Sequence, residues 1–344
     1  TESILCRGEI MEDPILVTVL CLAFNHEKYI ANALDGFIKQ ETNFKYEILV
    51  HDDASTDQTA EIIRKYERNY PKIIKGFYQR ENQYTKGIDV MATVLMAHAK
   101  GKYVALCEGD DYWTDPLKLQ LQVNAMENNQ NCKMAVHTVA EVSRDGTKTG
   151  TMFPASKIET GIIKSREFFS IGKVYSFHTS SYMFCAIDFW QYKSEPPKFA
   201  EQCDVGDELY MLYFGQLGGV YYIDRVMSCY RRGIEGSWSA MQRNQNVELM
   251  ALHHELMVNV YKEFDQYTNE QYHDIFVERI GKQMALACVM SGTAREMFQM
   301  KNIDYFGSLT NKQKSFVRLA KRYPMLMRKV YLAWRRFLDR QHGM

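Results

Sequence analysis

Three short apolar runs constrain the fold of this chain most: residues 15–23 (ILVTVLCLA), 46–51 (YEILVH) and 102–107 (KYVALC). Each is the length of a buried strand and well short of the roughly 20 residues that cross a bilayer. Each breaks off into polar residues: Asn25-His26-Glu27, Asp52-Asp53, and Glu108-Gly109-Asp110-Asp111. Helical spacing predicts helices at residues 29–38, from Ser55-Thr56-Asp57 through Tyr66, at 90–99 and at 118–126, with a further short strand at 72–78. Strands apolar on both faces that alternate with helices predict right-handed βαβ units in a mostly parallel sheet. Such sheets bind ligands beyond the carboxyl ends of their strands, where the polar clusters of this chain fall.

Past residue 130 the pattern changes. Strands are predicted at residues 134–142, 150–153, 180–187, 218–223 and 225–231, then mostly helices, including 247–264 and 272–290. The predicted organisation is an α/β domain over residues 12–240, in two halves (12–130 and 131–240) whose functional roles wait on the motifs below. A C-terminal helical region follows over 241–344. Of the 344 residues, 42 are Lys or Arg and 42 are Asp or Glu. Zero net charge argues against a general polyanion binder, so no nucleic-acid partner is expected. The eight cysteines form no CxxC pair, and several lie in apolar runs, which predicts reduced, buried thiols in a cytoplasmic protein. No leader segment is predicted.

Glu108-Gly109-Asp110-Asp111-Tyr112-Trp113 is the sharpest chemical signal. Three carboxylates in four residues repel one another, and a divalent cation relieves that repulsion. Oxygen ligands suit Mn2+ or Mg2+, ions that keep coordination positions for water and phosphate. The competing reading is a solvated acidic turn ahead of a helix that starts at Asp115-Pro116.

With these residues in place, the chain resembles the family 2 glycosyltransferases of GT-A fold, in the branch that assembles capsule and exopolysaccharide. Val19-Leu20-Cys21-Leu22-Ala23-Phe24-Asn25 resembles the first strand and its nucleotide-facing loop. Val50-His51-Asp52-Asp53-Ala54-Ser55-Thr56-Asp57 is similar to the V-D-D-G-S-T-D segment, and residues 99–105 to the lead-in of the metal strand. Glu108-Gly109-Asp110-Asp111 takes the place of D-x-D-D, and Val205-Gly206-Asp207-Glu208-Leu209 resembles the segment of the catalytic base. The resemblance implies a mixed, mostly parallel sheet flanked by helices, and inverting transfer from a UDP-sugar to a saccharide hydroxyl. The acceptor it implies is lipid-linked, in surface polysaccharide biosynthesis.

Residue by residue, it implies donor nucleotide binding by Ala23, Phe24, Asn25, Asp52, Asp53, Glu108 and Asp110, with Asp53 on the base. Metal binding falls to Asp110 and Asp111, and the base to Asp207, with Glu208 and Asp204 as runners-up. The alternative for Asp207 is a helix cap. The chain departs from the family at Glu108, where Asp is usual, and at Met91-Ala92-Thr93, which replaces A-R-N; Lys86 just upstream is the candidate for the missing charge. Trp113, His178, Asp204 and Trp238 are acceptor-side candidates. Arg231 and Arg232 open a stretch (RRGIEGSW) that reads as a loop over the diphosphate.

Residues 312–344 carry ten Lys or Arg against a single acid, Asp339. Phe316, Leu319, Tyr323, Leu326, Val330, Trp334 and Phe337 recur at three or four, which predicts an amphipathic helix, divided at Pro324. Such a tail suits either the anionic cytoplasmic face of a membrane or packing on the protein's own core or on a second copy in a homo-oligomer. Two other functions compete. A sugar-1-phosphate nucleotidyltransferase would need a basic, glycine-rich loop after the first strand, where Ala23-Phe24-Asn25-His26-Glu27 stands. A non-catalytic membrane scaffold would have no need of Asp53, Asp110 and Asp207 together.

Overall fold

The computed structural model describes residues 14–171, 177–201, 206–234 and 247–341, the last seven of these as backbone only. Strands β1 (Ile15–Ala23), β2 (Lys45–Asp52), β3 (Ile74–Tyr78) and β4 (Tyr103–Leu106) arise where the apolar runs predict them. Further along are β5 (Tyr112–Trp113), β6 (Met134–Val142), β7 (Lys148–Phe153), β8 (Gly161–Ile163), β9 (Met183–Cys185) and β10 (Val220–Arg231). All join one sheet in the order β3-β2-β1-β4-β9-β6-β10-β5, with β7 beside β6 and β8 beside β10. The first four are mutually parallel, and β6 runs parallel to β10. Strand β9 is antiparallel to both β4 and β6, which makes the sheet mixed.

Side chains alternate along β1, and both sets are buried. Val17, Val19, Cys21 and Ala23 join a core with Ile30, Leu34 and Phe37 of α1 (Ile30–Ile38), Ile63 of α2 (Thr59–Asn69), and Leu119 and Val123 of α3 (Lys118–Asn128). Leu20 joins the core on the other face, where helices α4 (Ser165–Ser170), α5 (Ala186–Ser194) and α6 (Gly206–Gln216) pack. Helices thus cover both faces, as a sheet apolar on both sides requires.

Residues 247–267 and 273–291 form α7 (Val247–Tyr267) and α8 (His273–Ser291); α7 runs three residues past its predicted end and α8 is shifted by one. Val260, Phe264, Phe276 and Ile280 from these helices share a core with Val104 and Phe184 of the sheet. The helices α9 (Ile303–Ser308), α10 (Asn311–Arg322) and α11 (Pro324–Gln341) follow, and the expected break at Pro324 is present.

Three local expectations are corrected. Residues 90–99 form only a wide turn of π type over Met91–Leu95 instead of a regular helix. The strand expected at 180–187 is short, because Cys185 already N-caps α5. The two strands expected at 218–231 are one, β10: the polar Asp224-Arg225 step reads as a turn but is absorbed as register irregularities against β6.

Candidate functional site

Because β2, β1 and β4 are adjacent and parallel, their carboxyl ends meet at one edge of the sheet. Ala23 lies opposite Asp52, and the Asp53 N–H donates to the Ala23 carbonyl at 2.9 Å. Beyond β4 the chain stays beside β1, with the Gly109 N–H donating to the Leu22 carbonyl at 2.8 Å. A Cβ on Gly109 would come within 2.9 Å of His26 Nδ1 and Ile30 Cδ1, so glycine is what lets the acidic turn lie against the loop after β1.

The loops after β1 and β2 are stitched together by their polar side chains. Asn25, at φ 55°, accepts from the Thr56 N–H at 2.8 Å, and its own N–H donates to Ser55 Oγ at 2.9 Å. Glu27 accepts from the Gln58 N–H, while its N–H donates to Asp57. Asp53 accepts the N–H groups of Gln83 and Tyr84 at 2.7 and 3.0 Å, so it anchors the loop after β3. Asp52 differs: it accepts a 3.4 Å bond from the Ser55 N–H on Oδ2, and its buried Oδ1 has no hydrogen-bond partner among the described residues. Phe24 is exposed at this edge, whereas Ala23 is buried.

The acids after β4 occupy unlike surroundings. Burial first, then the charges of Asp207 and Asp110, push the Glu108 carboxyl up to about 8, and its Oε2 is buried without a partner among the described residues. Asp110 lies 3.9 Å from His26 Nε2. Asp111 is buried and accepts the Arg231 N–H at 2.7 Å; burial and its acidic neighbours hold it well above the usual carboxylate range. Asp207 stands in the first turn of α6, and burial pushes it up to about 6. Its effect on Glu108 brings two acids from segments a hundred residues apart into one electrostatic cluster. Among the described residues, no three His, Cys, Asp or Glu side chains form a ready-made metal centre.

His178 sits beside this cluster. Its Nδ1 is 3.7 Å from Asp111 Oδ2 and accepts from the Ser180 N–H, and its ring stacks on Tyr230 at 4.1 Å. Burial lowers it to about 3, so the imidazole is neutral at ordinary pH.

Other candidates are placed differently from expectation. Trp113 is 3% exposed, packs edge-on against Phe37 at 4.6 Å and donates Nε1–H to the Ser180 carbonyl, so it belongs to the core and not to an acceptor surface. Lys86 pairs with Glu81 in an exposed turn, which accounts for its charge locally. Arg231 is the last residue of β10 and buried; its Nε donates to the Asp110 carbonyl at 3.1 Å, and its guanidinium lies over Tyr29 and Tyr112. Arg232 pairs with buried Glu141 at 3.0 Å. Both arginines brace the acidic turn and its neighbouring strands; residues 235–238 of the stretch that they open lie outside the described residues. Asp204 and Trp238 lie outside the described residues. Sequence reading missed His26, Tyr29 and Tyr112. His26 carried a usable signal, since it lies in the polar cluster that ends the first strand.

Residues 18–187 match the family model described as glycosyl transferase family 2. An uncharacterized protein of Mycobacterium tuberculosis is 39% identical over 140 residues, 41% of this chain and 40% of that protein. The Escherichia coli protein WfaP, named UDP-Glc:alpha-D-GlcNAc-diphosphoundecaprenol beta-1,3-glucosyltransferase, is 32% identical over 115 residues, 33% of this chain and 43% of its own length. The chain therefore spans less than half the length of these curated relatives. Residues 1–349 of S. aureus TarS, solved in complex with UDP-GlcNAc, align at a TM-score of 0.60 and 17% identity, over 94% of this chain and 92% of that one. At that identity the likeness is one of fold, and the fold is GT-A.

Proposed function

We propose, from the match of residues 18–187 to glycosyl transferase family 2, that the chain transfers a sugar from a UDP-sugar to a saccharide hydroxyl with inversion. The observation that carries the reading is the convergence of Glu108, Asp110 and Asp111, after β4, with Asp207 at the start of α6. The name of WfaP supports both a UDP-sugar donor and a lipid-linked acceptor. Residues 12–240 are then the catalytic part, with 241–344 as its helical buttress.

In this reading the nucleotide lies across the ends of β1 and β2. Asp52 Oδ1 is the acceptor still free for the imide N–H of uracil, since Asp53 is occupied by Gln83 and Tyr84. Phe24 offers an exposed ring beside it. Asp207 takes the proton from the acceptor hydroxyl, whose oxygen attacks the anomeric carbon from the face opposite the diphosphate. The bond from that carbon to the diphosphate oxygen breaks, UDP departs, and the configuration inverts. Arg231 holds Asp111 and the Asp110 carbonyl, so the acidic turn keeps its shape as charge moves.

A divalent cation, Mn2+ or Mg2+, fits the donor set. Glu108 Oε2 is a buried oxygen without a partner among the described residues, and the carboxylate oxygens of this turn are hard ligands. Asp110 would hold the ion, with Asp111 and Glu108 beside it, and the ion would neutralise charge developing on the leaving diphosphate. One or two carboxylates suffice, because such ions keep water and phosphate oxygens as their other ligands.

The test is a panel of nucleotide sugars, assayed for transfer and for slow hydrolysis with Mn2+ and with chelator. UDP-sugars are expected to turn over. Asp207→Asn should retain UDP binding and lose about a hundredfold or more in turnover, the range of a missing general base. Asp110→Ala should weaken UDP binding in Mn2+. Wild-type turnover by Asp207→Asn would move the base elsewhere. Protection against heat by nucleoside triphosphates alone would favour a nucleotidyltransferase, and no nucleotide effect would favour a scaffold.

A further inference from the structure

The C-terminal helix pair uses one apolar row on its own core and leaves a second row outside. Val317, Ala320 and Met327 are buried in a core with Val289, Met297 and Phe306, and Phe316 packs against it. Leu319, Tyr323, Leu326, Val330 and Trp334 are instead 45–57% exposed. Their spacing of four, three, four and four keeps them on one side of successive helical turns, and the row continues past the break at Pro324. The single apolar face read from sequence is therefore two, and only the inner one has a partner within the described residues.

Charge accompanies the outer row. Residues 312–334 hold Lys312, Lys314, Arg318, Lys321, Arg322, Arg328 and Lys329 and no acid. Arg328 is drawn to Glu248 of α7, while Lys312, Arg318, Lys321, Arg322 and Lys329 are exposed. The charged ends of Arg318 and Lys321 lie over the rings of Phe306 and Phe298, and both residues remain exposed. A chain neutral overall thus concentrates positive charge around an exposed apolar strip at one end.

We propose that this strip, Leu319-Tyr323-Leu326-Val330-Trp334 with its rim of lysines and arginines, docks the protein on an anionic lipid surface. An apolar row rimmed by cations matches the boundary between acyl chains and negative headgroups. A second copy of the chain is the poorer occupant, since self-pairing through this face would bring two cationic rims together. Among the described residues no helix is long and apolar enough to cross a membrane, so the contact lies along the surface. The surface rests on none of the assignments made for the transfer reaction.

Co-sedimentation of the full chain with vesicles tests this. Vesicles of phosphatidylcholine containing one third phosphatidylglycerol should bind it, and pure phosphatidylcholine should bind it on the order of tenfold less or weaker. Leu326→Glu with Val330→Glu, or Lys312→Glu with Lys329→Glu, should each lower binding to the anionic vesicles on the order of tenfold, with unchanged melting temperature and unchanged UDP-sugar hydrolysis. Equal binding to neutral and anionic vesicles would overturn the proposal, as would anionic binding that survives both variants. So would a wild-type dimer in sedimentation velocity that Leu326→Glu with Val330→Glu dissociates, if no vesicle binding accompanies it.

Discussion

At the scale of single residues, the ionisation of Asp207 sets a measurable limit. A base must be deprotonated to accept a proton, and burial has raised this carboxylate to about 6. Turnover at limiting substrate should therefore climb about tenfold per pH unit below pH 6 and level off above it; the rise should vanish from the residual activity of Asp207→Asn. A pH-independent wild-type rate between pH 4.5 and 6 would remove Asp207 from the role. The aspartates themselves were legible in the sequence, because acids that follow apolar strands have few other uses. Trp113 was not. Its neighbours in the chain are acids, which suggested a sugar-stacking face. The two-residue strand β5 instead pairs with Ser228 and Cys229 of β10 and turns the indole toward Phe37. A partner more than a hundred residues away leaves no trace in local pattern. Asp52 and Asp53 show the same limit: adjacent and identical in type, they are separated in role only by the loop at Gln83-Tyr84 folding over one of them.

At the scale of elements, α6 is held from behind. Glu208, next to Asp207 and 1% exposed, accepts from Tyr261 Oη of α7 at 2.8 Å and lies 3.3 Å from Arg279 Nη1 of α8. Arg279 also donates to the Phe169 carbonyl of α4 at 2.8 Å. Removing one member of a buried ion pair costs about 3–5 kcal/mol, because the other charge is left without compensation. Arg279→Met should therefore lower unfolding stability by roughly that amount and lower kcat more than it changes donor KM, since the first turn of α6 carries the base. Adding Glu208→Gln should recover part of the stability. If the two substitutions add to within about 0.5 kcal/mol, the pair is not coupled and the bracing idea fails. The helices themselves were readable from period. That α7 and α8 serve the helix bearing Asp207 was not, because a charged residue on a helix reads as solvent-facing until its partner is known.

At the scale of the whole molecule, the core on one face of the sheet contains Leu20 and Val104 from the first half together with Phe264 and Ile280 from the C-terminal helices. Apolar contacts shared in this way couple their unfolding. Urea denaturation followed by far-ultraviolet circular dichroism and by tryptophan fluorescence should give coincident transitions over these regions. A separate, earlier transition reporting loss of α7 and α8 would show that the helical region is an independent unit.

The amino-acid order alone settled most of the alternation of strand and helix through residue 128, the turn at Met91–Leu95 and the short β5 excepted, since periods of two and of three to four are local properties. It also placed the acids at the carboxyl ends of β1, β2 and β4, because a strand that stops in carboxylates stops at water or at a ligand. Tertiary packing decided what lies beyond local reach: the insertion of β9 antiparallel between β4 and β6, the approach of Asp207 to Glu108, the burial of Arg231 against the acidic turn, and the division of the tail into an inner and an outer apolar row. Each depends on contacts between segments far apart in the chain. Such contacts are selected by shape and by the satisfaction of buried polar groups across the whole core, and no window of sequence contains them.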